Sequence, residues 1–402
     1  MATSTPSAAL SYAQLRDLFR GVDPPYALVD LDALAHNAGL TVQRAGDKSI
    51  RVASKSVRSV GILRRILELN PRFQGLMTYS GPETLHLLAQ GFDNLLLGYP
   101  IVDASLHPLA QAVKQGKRIW FMADREEHLR ALHTAAQAAD TELEVCVDVD
   151  GSSQFPGLYF GVRRSSLTEV HLVEEFGKRI RSFPRLRLTA LMIYEAQIAG
   201  LPDAVPNAGW MNSIKKWLKA SSARQIAQRR NQSVQVLRAQ GHPLALVNGG
   251  GTGSLETTIA EDVVTEITAG SAFYAPGVFD HYEAFHYRPA AGYAVQITRR
   301  PADGIYTCAG GGFTSSGAPG WDKAPKPWLP SGGQLLPHEG AGEVQTPIAY
   351  TGPEVLNIGD PYYMRHAKAG ELCERFLELH LVANGQRLGT TSTYRGDGIC
   401  SI

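Results

Sequence analysis

The sequence predicts an α/β chain: a (β/α)8 barrel followed by a C-terminal all-β domain. Two observations carry that expectation. Between residues 26 and 275 short apolar runs alternate with amphipathic stretches, the pattern of parallel strands joined by helices. After residue 283 helix signals thin out, and alternating segments such as AGYAVQITR, ERFLELHLV and GTTSTYRG take over, as a β domain requires. Eight or so strand–helix units over roughly 250 residues match the usual size of such a barrel. The expected organisation is therefore an N-terminal arm over residues 1–22, a barrel over 23–282 and a β domain over 283–402.

Along the chain, Tyr26–Asp30 (YALVD) reads as a strand, and Leu31 to about Val42 as a helix with acidic Asp32 in its first turn. The strand Ile50–Ala53 precedes the helix-like GILRRILEL, and Gly75–Thr78 precedes PETLHLLAQ, where Leu85 and Leu88 share a helical face. The runs NLLLGYP, RIWFMA, LEVCVDV, LTALMIY, LALVNGG and VVTEITAG follow, most of them separated by helical segments. Residues 308–333, rich in Gly and Pro, read as one long loop.

Composition narrows the function. Hydrophobic residues make up 44% of the chain and charged residues 19%, ordinary values for a globular protein. Thirty-nine basic residues face 38 acidic ones, so no global field draws nucleic acid or an anionic membrane. No apolar run is long enough to span a bilayer, and MATSTPSAAL has no Lys or Arg leading into a long apolar stretch. Cys146, Cys308, Cys373 and Cys400 are far apart and form no CxxC pair, which argues against a disulfide framework or a thiolate zinc site. A cytoplasmic enzyme acting on a small molecule is the expectation.

Two segments carry the chemistry. Lys55, in RVASKSVRS, follows a short strand, and the carboxyl end of a barrel strand opens into the active-site mouth. An amine placed there among small residues is set to act as a nucleophile, although a solvated surface lysine has the same neighbours. The run Asn248-Gly-Gly-Gly-Thr-Gly-Ser254 follows the apolar LALV. Its glycines let the backbone approach a ligand and aim N–H groups at an anion. It has neither the lysine of a P-loop nor the spacing of a dinucleotide fingerprint. The next strand leads into TEITAGSAFY, so Ser271 and Tyr274 join the candidates for a phosphate cradle built from the last strands.

Taken together, PPYALVDLDALAHN, the strand ending in SK, MTYSGPETLHLLAQGFDNLLLGYPIV, VDVDG, GVRRS, GGGTGS and TEITAGS resemble the fold-type III pyridoxal-phosphate enzymes. More narrowly they resemble the D-threonine aldolase and D-serine dehydratase branch and the amino-acid deaminase/aldolase type. That resemblance implies a TIM-like barrel with a C-terminal β domain, a pyridoxal 5'-phosphate cofactor held by Lys55 as a Schiff base, and a homodimer. It implies that Gly251, Thr252, Gly253 and Ser271 bind the phosphate, that Tyr194 lies near the ring, and that Arg163 faces the pyridine nitrogen, with Arg164 as its rival. An arginine there would keep that nitrogen unprotonated and weaken the ring as an electron sink.

In the family a histidine matching His366, with Cys or Asp two residues later, binds a divalent metal. Here that second position is Lys368, whose ammonium is no ligand. His366 is then the candidate acid or base, with His338 behind it. The implied reaction is retro-aldol cleavage of a β-hydroxy-α-amino acid. Elimination, racemisation and a non-catalytic cofactor carrier remain the alternatives.

Overall fold

The computed structural model describes residues 10–317 and 320–401. The chain forms two compact units. One comprises Thr41–Lys55, Arg65–Gly270 and the residues from Ile399; the other comprises the segment ending at Leu40, Ser56–Arg64 and Ser271–Gly398.

The first unit contains a closed barrel of eight parallel strands. In chain order these are Ser49–Ala53, Phe73–Thr78, Leu95–Leu97, Ile119–Ala123, Leu143–Val149, Leu186–Ile193, Leu246–Gly249 and Glu266–Ala269. The last strand closes on the first, with Ile267 opposite Ile50 and Ala269 opposite Val52. Strands covered on both faces read as continuous apolar runs, and every residue of Ile119–Ala123 is buried. Helices separate the strands wherever local signals favour them. At Gly81–Ala89, the Ser80 hydroxyl accepts the Glu83 N–H at 3.3 Å while Glu83 Oε2 accepts the Tyr79 N–H at 2.7 Å. This reciprocal capping satisfies amides that a helix start leaves bare. Inside the barrel, Leu96, Trp120, Met122, Cys146, Ala190, Met192 and Leu246 form one apolar cluster.

A polar plug sits beside it. The Arg51 guanidinium grips Glu266 through two bonds of 2.6 and 3.0 Å, and its remaining N–H groups reach the carbonyls of Asn94 and Leu76. Asn248 donates to Glu266 at 2.8 Å and accepts from Thr268 at 2.9 Å.

The second unit is built on a nine-stranded sheet. Tyr26–Asp30 lies within it, antiparallel to Ala291–Ala302 and parallel to Glu378–Ala383. This corrects the assignment of Tyr26–Asp30 to the barrel. An apolar five-residue run is compatible with either sheet, and pairing with distant strands decides which. The stretch expected as a single loop over 308–333 is also partly structured. Lys326–Leu329 pairs with Pro361–Arg365, and Gly333 begins a further strand; residues 318 and 319 lie outside the described residues. The described part of the N-terminal arm holds the helix Tyr12–Leu18, closed by a Ser11–Gln14 capping box. Among the described residues no helix is long and apolar enough to cross a membrane.

Candidate active site

Lys55 stands where a barrel places a reactive group. The strand Ser49–Ala53 ends in a tight turn, Ser54–Ser56, pinned by the Ser54 hydroxyl on the Met77 carbonyl at 2.8 Å. Lys55 Nζ donates to the Tyr99 hydroxyl at 2.6 Å, and lies 5.2 Å from the centre of the Tyr99 ring and 5.8 Å from that of Tyr194. Tyr99 follows the strand Leu95–Leu97 and Tyr194 follows Leu186–Ile193, so the carboxyl ends of three strands converge on one amine. Burial pushes the Tyr194 phenol above its ordinary range, with Lys55 pulling it back, so it stays a hydrogen-bond donor at neutral pH.

The glycine run meets the same tyrosine. A Cβ on Gly251 would lie 3.0 Å from Tyr194 Cε2 and 3.0 Å from Ala199 Cβ, so the backbone is flush with the ring. Gly250 has φ +83°, a conformation that side chains resist, and its N–H donates to Glu195 Oε2 at 2.7 Å. Gly251 N–H donates to the Ser254 hydroxyl at 3.0 Å. Thr252 and Gly253 are buried, and the Gly253 N–H donates to no described residue.

Of the two arginines, Arg164 is the one beside Tyr194, with Cζ 6.0 Å from the ring centre. Arg163, the residue favoured from sequence, stacks instead on Tyr159 at 4.1 Å and lines an open cleft of about 500 Å³ with Phe155, Leu158 and Tyr159. Its backbone has φ +42°. Three residues that sequence reasoning did not single out also stand here: Tyr99, Glu195 and Asp148. Burial pushes the Asp148 carboxyl up to about 8, with Asp124 and Asp150 adding to the rise and Arg164 opposing it. The VDVDG motif contained that signal, two carboxylates at the end of one strand.

Ser271, Tyr274 and His366 belong to the other unit. The Ser271 hydroxyl lies 3.4 Å from that of Ser56, and the Tyr274 hydroxyl donates to the Val57 carbonyl at 3.0 Å. His366 is fully buried, edge-on to Tyr274 with ring centres 6.3 Å apart. Neither of its ring nitrogens has a hydrogen-bond partner. Burial, reinforced by Arg365, pushes its pKa down to about 3, so the imidazole is neutral. His338 is exposed.

Residues 29–276 match the family of the alanine racemase N-terminal domain. The chain belongs to this family. Relatives of the alanine racemase-type chain include the D-threonine aldolase of Arthrobacter sp, 24% identical over 267 residues that cover 66% of this chain and 64% of that protein. The 3-hydroxy-D-aspartate aldolase of Paracoccus denitrificans is 24% identical over 257 residues, 62% of this chain and 60% of its own. The matched stretch thus spans less than two thirds of either relative. The crystal structure of D-threonine aldolase from Filomicrobium marinum superposes with a TM-score of 0.76 at 19% identity, covering 92% of this chain and 93% of that one. At that identity the likeness establishes a shared fold.

A divalent metal, which the resemblance implies at His366, does not fit the residues present. Lys368 occupies the expected second-ligand position, and its ammonium donates to the Ser316 carbonyl and hydroxyl. Arg365 adds a second positive charge on the other side in sequence. The Cys373 thiol donates to the Val57 carbonyl at 3.2 Å, and burial pushes it up to about 12, so it is no thiolate. Among the described residues no three His, Cys, Asp or Glu side chains form a metal cluster.

Proposed function

We propose that the protein is a pyridoxal 5'-phosphate-dependent lyase that cleaves a small β-hydroxy-α-amino acid into an amino acid and an aldehyde. The observation that carries this reading is the convergence of Lys55 and the Gly251 backbone on one half-buried ring, Tyr194. An amine and a glycine-lined stretch of backbone beside one aromatic ring suit a planar aldehyde that also carries a phosphate. Family membership and the relatedness to two aldolases support the same class.

In this reading Lys55 would hold the cofactor covalently through Nζ. Gly251, Thr252, Gly253 and Ser271 would hold its phosphate, and Tyr274 would support the chain around Ser271. When bound, the cofactor supplies an electron sink for the pair released as the Cα–Cβ bond breaks. Tyr99 orients Lys55 Nζ through their hydrogen bond. Arg164, beside Tyr194, takes the role that the resemblance gave to Arg163. The resemblance makes His366 the candidate to take the β-hydroxyl proton. No step is assigned to a metal.

A homodimer belongs to the same proposal. Trp210, Met211, Ile214 and Trp217 form an exposed apolar stripe on the helix Trp210–Ala239, extended by Phe155, whose ring lies 5.5 Å from Trp217. Stripes of this kind mark interfaces, and a second copy of the chain is the partner assigned.

The deciding measurement is the visible spectrum of wild-type protein and Lys55→Ala, before and after borohydride. Wild type should show an absorption band that borohydride abolishes, and the variant should lack it. A wild type that stays colourless with added cofactor would sink the reading. Product analysis then fixes the reaction. An aldehyde supports aldol cleavage, ammonia with a keto acid shows elimination, and the enantiomer shows racemisation. Replacing His366 by Ala should leave the band and abolish turnover.

A further inference from the structure

The glycine loop is held by a buried ionic clamp that the reading above does not use. Glu195 immediately follows Tyr194 and is 2% exposed. Its two oxygens face different partners. Oε2 accepts the Gly250 N–H at 2.7 Å; Oε1 accepts from Arg230 and, at 3.1 Å, from the Thr258 hydroxyl. Arg230 comes from the middle of the helix Trp210–Ala239 and is fully buried. It also pairs with Glu261 and donates to the Ile193 carbonyl at 3.0 Å. A Cβ on Gly249 would lie 2.7 Å from Arg230 Nη2, so the guanidinium is packed against the start of the loop.

We infer that Glu195 is a positioning residue for the phosphate loop, anchored by Arg230. This rests on the proposed cofactor reading. Fixing the Gly250 amide against one carboxylate oxygen sets the direction in which the following peptides run. Gly250 N–H is on Glu195 and Gly251 N–H on Ser254, while the buried Gly253 N–H has no partner among the described residues. A carboxylate is required because both oxygens must accept. A glutamine has one acceptor oxygen, so either Gly250 loses its partner or an amide N–H faces the Arg230 guanidinium.

The test compares pyridoxal 5'-phosphate with pyridoxal, which has the aldehyde and ring but no phosphate. Dissociation constants of both are measured by absorbance on wild type, Glu195→Gln and Arg230→Lys, together with the melting temperature of each cofactor-free protein. Loss of one charge-assisted hydrogen bond should weaken the phosphorylated compound by about tenfold to a hundredfold. Pyridoxal affinity should change by less than about twofold, because the lost bond acts on the phosphate loop alone. Arg230→Lys, which keeps the charge and loses the fork, should shift the same ratio in the same direction. Equal weakening of both compounds, or a lower melting temperature with an unchanged ratio, would overturn the inference and leave Glu195 a purely structural residue. A wild type that binds neither compound would overturn the cofactor reading along with it, so the two failures are distinguishable.

Discussion

A histidine sealed from water makes the folded state sensitive to acid. His366 has its pKa pushed down to about 3 in the folded chain, against an ordinary value of about 6.5 when unfolded. Between those values the unfolded chain binds a proton that the folded one refuses. Stability therefore falls as pH drops from 6.5 towards 3, and above 6.5 this group contributes no pH dependence. At pH 4.5 the deficit is roughly 3 kcal/mol. Urea titrations at pH 7 and 4.5 should show that His366→Gln loses less stability on acidification than wild type, by about that amount. Parallel losses in the two proteins would mean that the imidazole titrates normally in the fold. Single residues were also where sequence reading stopped short. GVRRS offers two adjacent arginines, and nothing in their identity says which one turns towards Tyr194. Their placement, Arg163 on Tyr159 and Arg164 by Tyr194, comes from the surrounding loop.

At the scale of an element, the glycine run shows how a motif can be legible while its reasons are not. GGGTGS is visible in the sequence as a place where backbone must come close to something. Three of its close approaches are made to protein: Gly249 to Arg230, Gly250 to Glu195, and Gly251 to Tyr194. Those partners lie between about 20 and 60 positions away in sequence, so only the fold reveals them. Gly251→Ala tests the last contact. A new methyl at 3.0 Å from two carbons forces Tyr194 or Ala199 to shift, at a cost of about 1–3 kcal/mol. Cofactor affinity should drop by about tenfold or more, since the displaced ring is the one beside Lys55. The far-ultraviolet dichroism should stay unchanged, because the loop lies outside the barrel strands. Unchanged affinity would show that the loop can yield without disturbing the ring. The short hairpin formed by Ser153–Phe155 and Leu158–Phe160 escaped the sequence reading for a different reason. Three-residue strands carry too little alternation to be told from loop.

Across the whole molecule, the eight barrel strands were readable because each lies in a predominantly apolar segment set off by helical stretches. Membership of the first strand was not readable, since Tyr26–Asp30 is chosen by strands more than 250 positions downstream. The barrel interior holds a further feature that apolar patterning hides. Arg51 and Glu266 are charged residues inside strands that otherwise read as hydrophobic, and they are 1% and 4% exposed. They sit on the first and last strands in chain order, which pair directly where the barrel closes. Removing one partner leaves the other charge buried and uncompensated, which costs about 3–5 kcal/mol, whereas losing an exposed pair costs little. Glu266→Ala should therefore lower stability by about that amount in urea, and by much more than Glu256→Ala, whose pair with Arg44 is partly exposed. Replacing both Arg51 and Glu266 by Met should recover much of the loss, because no charge is then left buried. If the double variant were no more stable than Glu266→Ala, the pair would owe its value to the hydrogen bonds Arg51 makes to Asn94 and Leu76 across the neighbouring strands, and barrel closure would depend on that polar lattice as much as on charge pairing.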